Sequence, residues 1–432
     1  MFKDLISLCT MLRMTNASQA IPSYCTANML VIEAILEHYK KKSSPVLIEA
    51  TSNQVNQMGG YTGMTPEEYR EKIYELADKV GFNKNLIMLA GDHLGPLPWA
   101  HLPANEAMAN ARQLVRDFVL AGYEKIHLDT SIRLADDKEL TDDLIATRGV
   151  DLYITCQNAW NELRESDPDR APLTFIIGSE VPPAGGSISD EITITSPHSL
   201  NHTIEAYRRA FAKANIKHAW DHIAAVVVQP GVEYGNMSIR KYNREDAQEL
   251  CNVLKKYPRL CFEGHSTDFQ PATSLRKMAE DGISILKVGP ALTFSLREAL
   301  FNLCLIEHEL IHDEQKWSKF RRTLLSAMSN NPKYWEKYYH GSTKELAIQS
   351  KFSYLDRSRY YLYENSVEKS IMTLIQNIDS IEIPAGVLHQ YCPMQYYRLY
   401  SKGLPYDAKS ILFDYVSIQL EEYDFACELH KK

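Results

Sequence analysis

Residues Ile87-Met88-Leu89-Ala90-Gly91-Asp92-His93-Leu94-Gly95-Pro96, "IMLAGDHLGP", form an apolar run that stops at an acid and an imidazole. A short continuous apolar run bounded by Gly and Pro reads as a strand buried on both faces, the pattern of a parallel sheet. This strand is expected over Leu86–Gly91, and seven similar runs accompany it: Ala20–Tyr24, Pro45–Ala50, Lys125–Asp129, Thr174–Glu180, Ile223–Gln229, Arg259–Glu263 and Ser284–Val288. Helical patterns fill the intervals, among them "ANMLVIEAILEHYKKK", "TPEEYREKIYELADKV" and "NEAMANARQLVRDFVLAG". In the second of these, Thr65 suits the N-cap, Pro66 the first helical position and the following acids the first turn. Eight strand–helix units in about 300 residues match a (β/α)8 TIM barrel. A doubly wound open sheet is the alternative, but no GxGxxG follows the first strand.

Two stretches fall outside the minimal unit. The connection from Thr130 to Leu173 is long, acidic and partly helical, as expected of an excursion over the barrel rim. Beyond about residue 315 the strand signal stops and Tyr-rich helical patterns follow. The expected organisation is a barrel over 1–315 and a helical C-terminal region over 316–432 packed on it, its Tyr residues serving packing and interfaces.

The composition of the 432 residues, 45% apolar and 24% charged, is that of a globular protein. A net charge of −8 argues against a nucleic-acid partner, whose phosphates demand a Lys/Arg surplus. No run reaches the roughly 18 apolar residues of a membrane span. The first residues, "MFKDLISLCTMLRMTN", lack the order of a signal peptide, and the eight Cys show no CxxC spacing. The cytoplasm, with its free thiols, is the expected compartment.

Chemistry in such a barrel gathers where the carboxyl ends of the strands converge. Strand two runs into Thr51-Ser52-Asn53-Gln54 and "GGYTGM", strand three into Asp92 and His93, and strand four into His127 and Asp129. Strand five delivers Glu180, strand six Gln229, strand seven Glu263, His265 and Asp268, and strand eight Gly289 and Thr293. A lone histidine at a strand end is usually a satisfied structural residue, but titratable groups at nearly every end imply one shared polar site. His93, Glu180 and His265 suit a divalent metal of the zinc type, with manganese or another ion as the alternative. Asp92, beside a ligand, is placed to move a proton, and burial is expected to raise its pKa toward that task. His127 and Asp129 alternate along one strand and so point the same way. Gly289 and Thr293, at a helix start, offer backbone N–H groups to a phosphate. Gly59, Gly60 and Gly63 give a mobile or tight loop over the site. Arg357 and Arg359, in "YLDRSRYY", read as solvated arginines that are able to reach a phosphate.

The motifs "LIEATSNQVNQMGGYTGMTP", "AGDHLGP", "KIHLDTS", "GSEVPPAGG", "VVVQPGVEYG", "EGHSTDFQ" and "ILKVGPALTFSLREALF" resemble the tagatose-1,6-bisphosphate aldolase class II Z-subunit family, the non-catalytic subunit. The similarity continues through "YWEKYYHG" and "YLDRSRYYLYE" to "QYCPMQYYRL". The resemblance implies a TIM barrel related to the catalytic class II aldolases, working in galactitol or N-acetylgalactosamine breakdown. A partner subunit there splits tagatose 1,6-bisphosphate into dihydroxyacetone phosphate and glyceraldehyde 3-phosphate, and the Z subunit supports it. Some relatives are instead epimerases that invert C4 of a ketohexose or its 6-phosphate. Carried over by position, Asp92 is the proton-transfer residue, His93 a metal ligand, Glu180 the strand-five acid and His265 the strand-seven histidine. Gln229 stands where the catalytic aldolases place a further zinc histidine, and is at best a fourth, weak ligand. The "GGSG" phosphate loop is also missing, with "STDFQP" in its place.

The expected function is therefore a supporting subunit of the class II aldolase, in an oligomer, that retains a metal and sugar-phosphate site. In that site Asn53, Gln54, His127, Asp268, Gly289 and Thr293 contact the substrate. The alternative is a stand-alone metal-dependent 4-epimerase acting on tagatose and fructose, or their 6-phosphates, by retro-aldol cleavage and re-addition. Asp92, Asp129 and Glu180 are then the acid/base candidates.

Overall fold

A computed structural model describes residue 9, residues 19–178 and residues 193–427. Its eight barrel strands are β1 (Ile21–Cys25), β2 (Val46–Thr51), β3 (Ile87–Leu94), β4 (Lys125–Leu128), β5 (Thr174–Ile177), β6 (Ile223–Val228), β7 (Cys261–Gly264) and β8 (Ile283–Val288). All pair in parallel and close in the order β1-β8-β7-β6-β5-β4-β3-β2. The chain is a (β/α)8 TIM barrel carrying further helices at its C-terminal end. All eight expected strands are present with shifted ends. The third runs through Asp92 and His93 to Leu94 instead of stopping at Gly91, and the seventh starts at Cys261, not Arg259.

Local chemistry sets the helix ends. Before α1 (Met29–Lys40) the Asn28 side chain accepts from the Leu30 and Val31 N–H groups. Before α2 (Pro66–Val80) Thr65 and Glu68 form a reciprocal capping box, and Gly81 ends the helix in the left-handed conformation at φ 76°. The Thr130–Leu173 connection holds a helix of its own, Asp142–Ser166.

Inside the barrel, alternate residues of each strand face the axis. The floor is apolar: Ile21, Leu47, Met88, Ile176, Ala225, Cys261 and Ile285 form one buried cluster. One step up the strands, four buried charges replace it, Glu49 on β2, Lys125 on β4, Glu263 on β7 and Lys287 on β8. Lys125 pairs with Glu49 and lies 2.8 Å from Glu263, while Lys287 pairs with Glu49 and lies 2.5 Å from Asp92. The next step is the mouth.

The barrel helices end with α3 (Pro290–Leu310), and the C-terminal helices begin at Phe320. The last of these, α4 (Ala408–Cys427), packs back on α1 and α3. Its Asp424 lies 2.6 Å from His38 Nε2, accepts from Tyr39 Oη at 2.8 Å and pairs with Lys42. Burial pushes the Asp424 carboxyl up, but His38 and Lys42 outweigh it and hold it at about 2. A depressed carboxylate stabilises the fold above its unfolded pKa and loses that contribution as pH falls through its folded value. We expect about 2 kcal/mol to disappear between roughly pH 4 and pH 2. In urea titrations at stepped pH, the difference between wild type and Asp424→Asn should shrink across that window. A difference independent of pH would remove Asp424 as its source.

Candidate active site

A regular strand points neighbouring residues to opposite faces, so adjacent Asp92 and His93 cannot both reach the mouth from one. The strand is broken there: His93 has φ 44°, and the β3–β4 register shifts between Gly91 and Leu94. This bulge turns both side chains inward, at the usual cost of about 1–3 kcal/mol for a non-glycine residue in the left-handed region. Two residues after His93 the chain requires glycine, because a Cβ on Gly95 would lie 1.7 Å from the Asp129 carbonyl oxygen.

Asp92, His93, His127 and His265 each offer a ligand atom, all within 4.8 Å of one another, and all four residues are buried. Each of two imidazoles has a carboxylate behind it. His93 Nδ1 lies 2.6 Å from Asp129 Oδ2, and Asp129 is steadied by the Ser131 N–H and hydroxyl. His265 Nε2 lies 2.9 Å from Glu263 Oε1. A histidine that donates one ring N–H to a carboxylate presents the lone pair of its other nitrogen, as metal-binding histidines do. Burial, then the positive charge of Lys287, pushes His265 down to about 3, so the ring is neutral and able to ligate. Burial lowers His93 as well, but Asp92 and Asp129 outweigh it and raise its pKa. His127 is held differently, with Nε2 2.9 Å from the Gly178 carbonyl and Nδ1 2.9 Å from Asp92 Oδ1.

The electrostatics of Asp92 correct one expectation. Burial does push its carboxyl up, but Lys287, His93 and His127 together hold it well below the usual range. Asp129 is held below that range too, by His93 against the effect of burial. As placed, both are carboxylates at rest, able to accept a proton and without one to donate.

The pocket above the cluster is lined by Asn53, Gln54, Asp92, His93, His265, Asp268, Gly289 and Thr293, and by Arg359, Tyr360 and Tyr363 from the C-terminal helical region. The chain matches the family model described as D-tagatose-1,6-bisphosphate aldolase subunit GatZ/KbaZ-like over residues 6–428. It belongs to that family. A solved structure from Sinorhizobium meliloti 1021, described as a probable tagatose 6 phosphate kinase, is 38% identical, with a TM-score of 0.86 over 95% of this chain and 100% of that one. The fructose-bisphosphate aldolase of Campylobacter jejuni is 15% identical over 87% of this chain and 91% of its own, at a TM-score of 0.42. The YdjI aldolase of Escherichia coli K12 is 12% identical over 85% and 95%, at 0.40. Neither adds to the reading of the site.

Within this GatZ/KbaZ-like barrel, several sequence-predicted residues already have partners of their own. Gln229 turns into its own loop, its Oε1 accepting from the Gly231 and Val232 N–H groups at 2.9 and 3.1 Å, so that oxygen is already engaged. The expected phosphate cradle is filled from within. Asp268 Oδ1 accepts from the Gly289 and Ala291 N–H groups at 2.9 and 2.8 Å, and the Thr293 hydroxyl donates to Asp356 at 2.7 Å. Burial raises Asp268 to about 6 even so. Gln54 accepts from the Thr51 N–H at 2.8 Å. The Gly59–Gly63 loop is tight, with Asn56 Oδ1 accepting from the Met58 and Gly60 N–H groups. Glu180 lies outside the described residues.

The two arginines also differ from the solvated pair that was expected. Arg357 is 4% exposed, with its guanidinium 3.8 Å from the Tyr338 ring centre and 4.5 Å from that of Tyr360. Arg359 lies in the pocket wall. Glu49, Lys125 and Lys287 are functional-site neighbours that the motif reading missed. Their signal was present: a charged residue inside each of the apolar runs "PVLIEA", "KIHLD" and "SILKV".

Proposed function

We propose that this GatZ/KbaZ-like chain is a supporting subunit of a class II tagatose-1,6-bisphosphate aldolase, in tagatose 6-phosphate catabolism fed by galactitol or N-acetylgalactosamine. In this reading it holds its own divalent metal, zinc or manganese, and a sugar phosphate at the barrel mouth. Family membership supports the subunit role. The observation that carries the metal site is the pair His93 and His265, each backed by a carboxylate and both facing Asp92. The donor set, two imidazoles and a carboxylate, fits such an ion. A bound metal supplies Lewis-acid polarisation of a ketose carbonyl. The chain's own groups do the rest: Asp129 and Glu263 orient the rings, Lys287 fixes Asp92 as an anion, and the pocket wall positions the sugar.

A second reading, a metal-dependent ketohexose or ketohexose-6-phosphate 4-epimerase, is favoured by the same carboxylates. A barrel that only props up a partner gains nothing from burying oriented, charged groups at its mouth. Asp92 and Asp129 then serve as proton acceptors, with Glu180 as the remaining acid.

One experiment separates the two. The purified chain is incubated with fructose 6-phosphate or tagatose 6-phosphate in the presence of zinc or manganese, alone and with a catalytic aldolase subunit. The subunit reading expects no sugar interconversion by the chain alone and higher or longer-lived cleavage of tagatose 1,6-bisphosphate by the partner. Interconversion that is lost on chelation replaces it with the epimerase.

A further inference from the structure

We infer that Arg359 is the pocket's single anion receptor, so that the ligand is a ketose with one phosphate or carboxylate end and not a bisphosphate. This rests on the reading above that a ketose occupies the pocket. The pocket's other anion-binding groups are already engaged. The other cation in the pocket wall, Lys287, is paired with both Glu49 and Asp92. The backbone N–H groups of Gly289 and Ala291, the usual place for a phosphate, are taken by Asp268.

Arg359 is the exception. Its Nη1 donates to the Leu355 carbonyl and, at 3.1 Å, to that of Asp356, and its Nη2 donates to Tyr360 Oη at 3.2 Å. Among the described residues no carboxylate pairs with it, and Asp356, whose charge it feels, is paired with Arg297 at 2.9 Å. A guanidinium carries five N–H donors, and three hydrogen bonds leave two. Carbonyls and a phenol fix its position without neutralising its charge, which is the preorganised state an anion receptor needs. Tyr61, Tyr234, Tyr360 and Tyr363 line the same pocket, so the charge stands among rings and hydroxyls.

A second phosphate has no counterpart among the described residues. Among the described residues, the other charged groups of the wall outside the histidines are Lys287, already paired, and the acids Asp92 and Asp268. A ligand charged at both ends would set one of them against a carboxylate, whereas one charged end on Arg359 leaves the neutral carbons for the metal cluster. The inference also makes the C-terminal helical region part of the site, because the receptor comes from it.

The test is calorimetric titration of the full metal-loaded chain with fructose, fructose 6-phosphate, fructuronate and fructose 1,6-bisphosphate. Fructose 6-phosphate or fructuronate should bind about tenfold or more tighter than either fructose or the bisphosphate, the range of a charge-assisted hydrogen bond. Whichever of the two leads identifies the head group. Arg359→Gln should bring the singly charged ligand down to the level that fructose has in the same variant, and Arg359→Lys should keep part of the gain. The wild-type ranking stands by itself if the Gln variant does not fold. Bisphosphate binding as tight as the monophosphate, or an unchanged ratio of charged to neutral ligand in Arg359→Gln, overturns the inference and leaves the ketose reading intact. If no ketose binds the wild type, that reading fails and the inference falls with it.

Discussion

Replacing Lys287 by methionine is expected to cost the fold about 3–5 kcal/mol, the range for removing one partner of a fully buried ion pair. Its ammonium bridges Glu49 and Asp92, and both carboxylates are almost completely shielded from water. Burial alone would lower the Lys287 pKa, yet Asp92 and Glu49 outweigh it and hold it well above the ordinary value. Without the ammonium, Glu49 keeps only Lys125, and Lys125 is shared with Glu263. Three buried carboxylates would then depend on one lysine and the neighbouring imidazoles. The measurement is the urea midpoint at neutral pH with an unchanged slope. A second variant, Lys287→Met with Glu49→Gln, removes one charge of each sign and should recover part of the loss; the double-mutant cycle isolates the pair. A loss below about 1 kcal/mol in Lys287→Met would mean that the carboxylates take up protons instead, and that Asp92 is not a fixed anion.

That network also marks how far the chain could be read from its sequence. Continuous apolar runs are what a parallel strand buried on both faces must look like, and all eight strands followed from them. The ends were harder, because a strand continues while its backbone hydrogen bonds do, whatever the polarity of its residues. Asp92 and His93 looked like a strand end and are in fact a bulge inside one. The residue types of the mouth were legible, since barrel strands project their chemistry from one end. Their partners were not. No spacing rule shows that Asp268 reaches Gly289 and Ala291, or that Gln229 folds onto Gly231, because both depend on loop conformation. The tail arginines were misjudged for a related reason. Burial of a C-terminal segment against the mouth is a tertiary event, and a charged residue in a Tyr-rich stretch carries no local sign of it.

Loss of metal from His265→Ala is the second large effect expected, and it is best judged against a milder variant. His93 and His265 should together hold roughly one divalent ion per chain, and alanine at 265 deletes a ligand outright. Metal content after dialysis should fall close to zero. The fold should survive this change better than the loss of Lys287, because Glu263 still has Lys125 at 2.8 Å when the imidazole is gone. Asp129→Asn leaves every ligand in place and changes only the group behind His93, which lies 2.6 Å from it. Weakening such a partner typically lowers metal affinity by about 10–100-fold, measurable by competition with a chromophoric chelator. The order wild type, Asp129→Asn, His265→Ala is the signature of a site at these imidazoles. Equal metal content in all three would place any bound ion elsewhere. The cluster would then be a closed network of charges, and the barrel mouth a binding pocket alone.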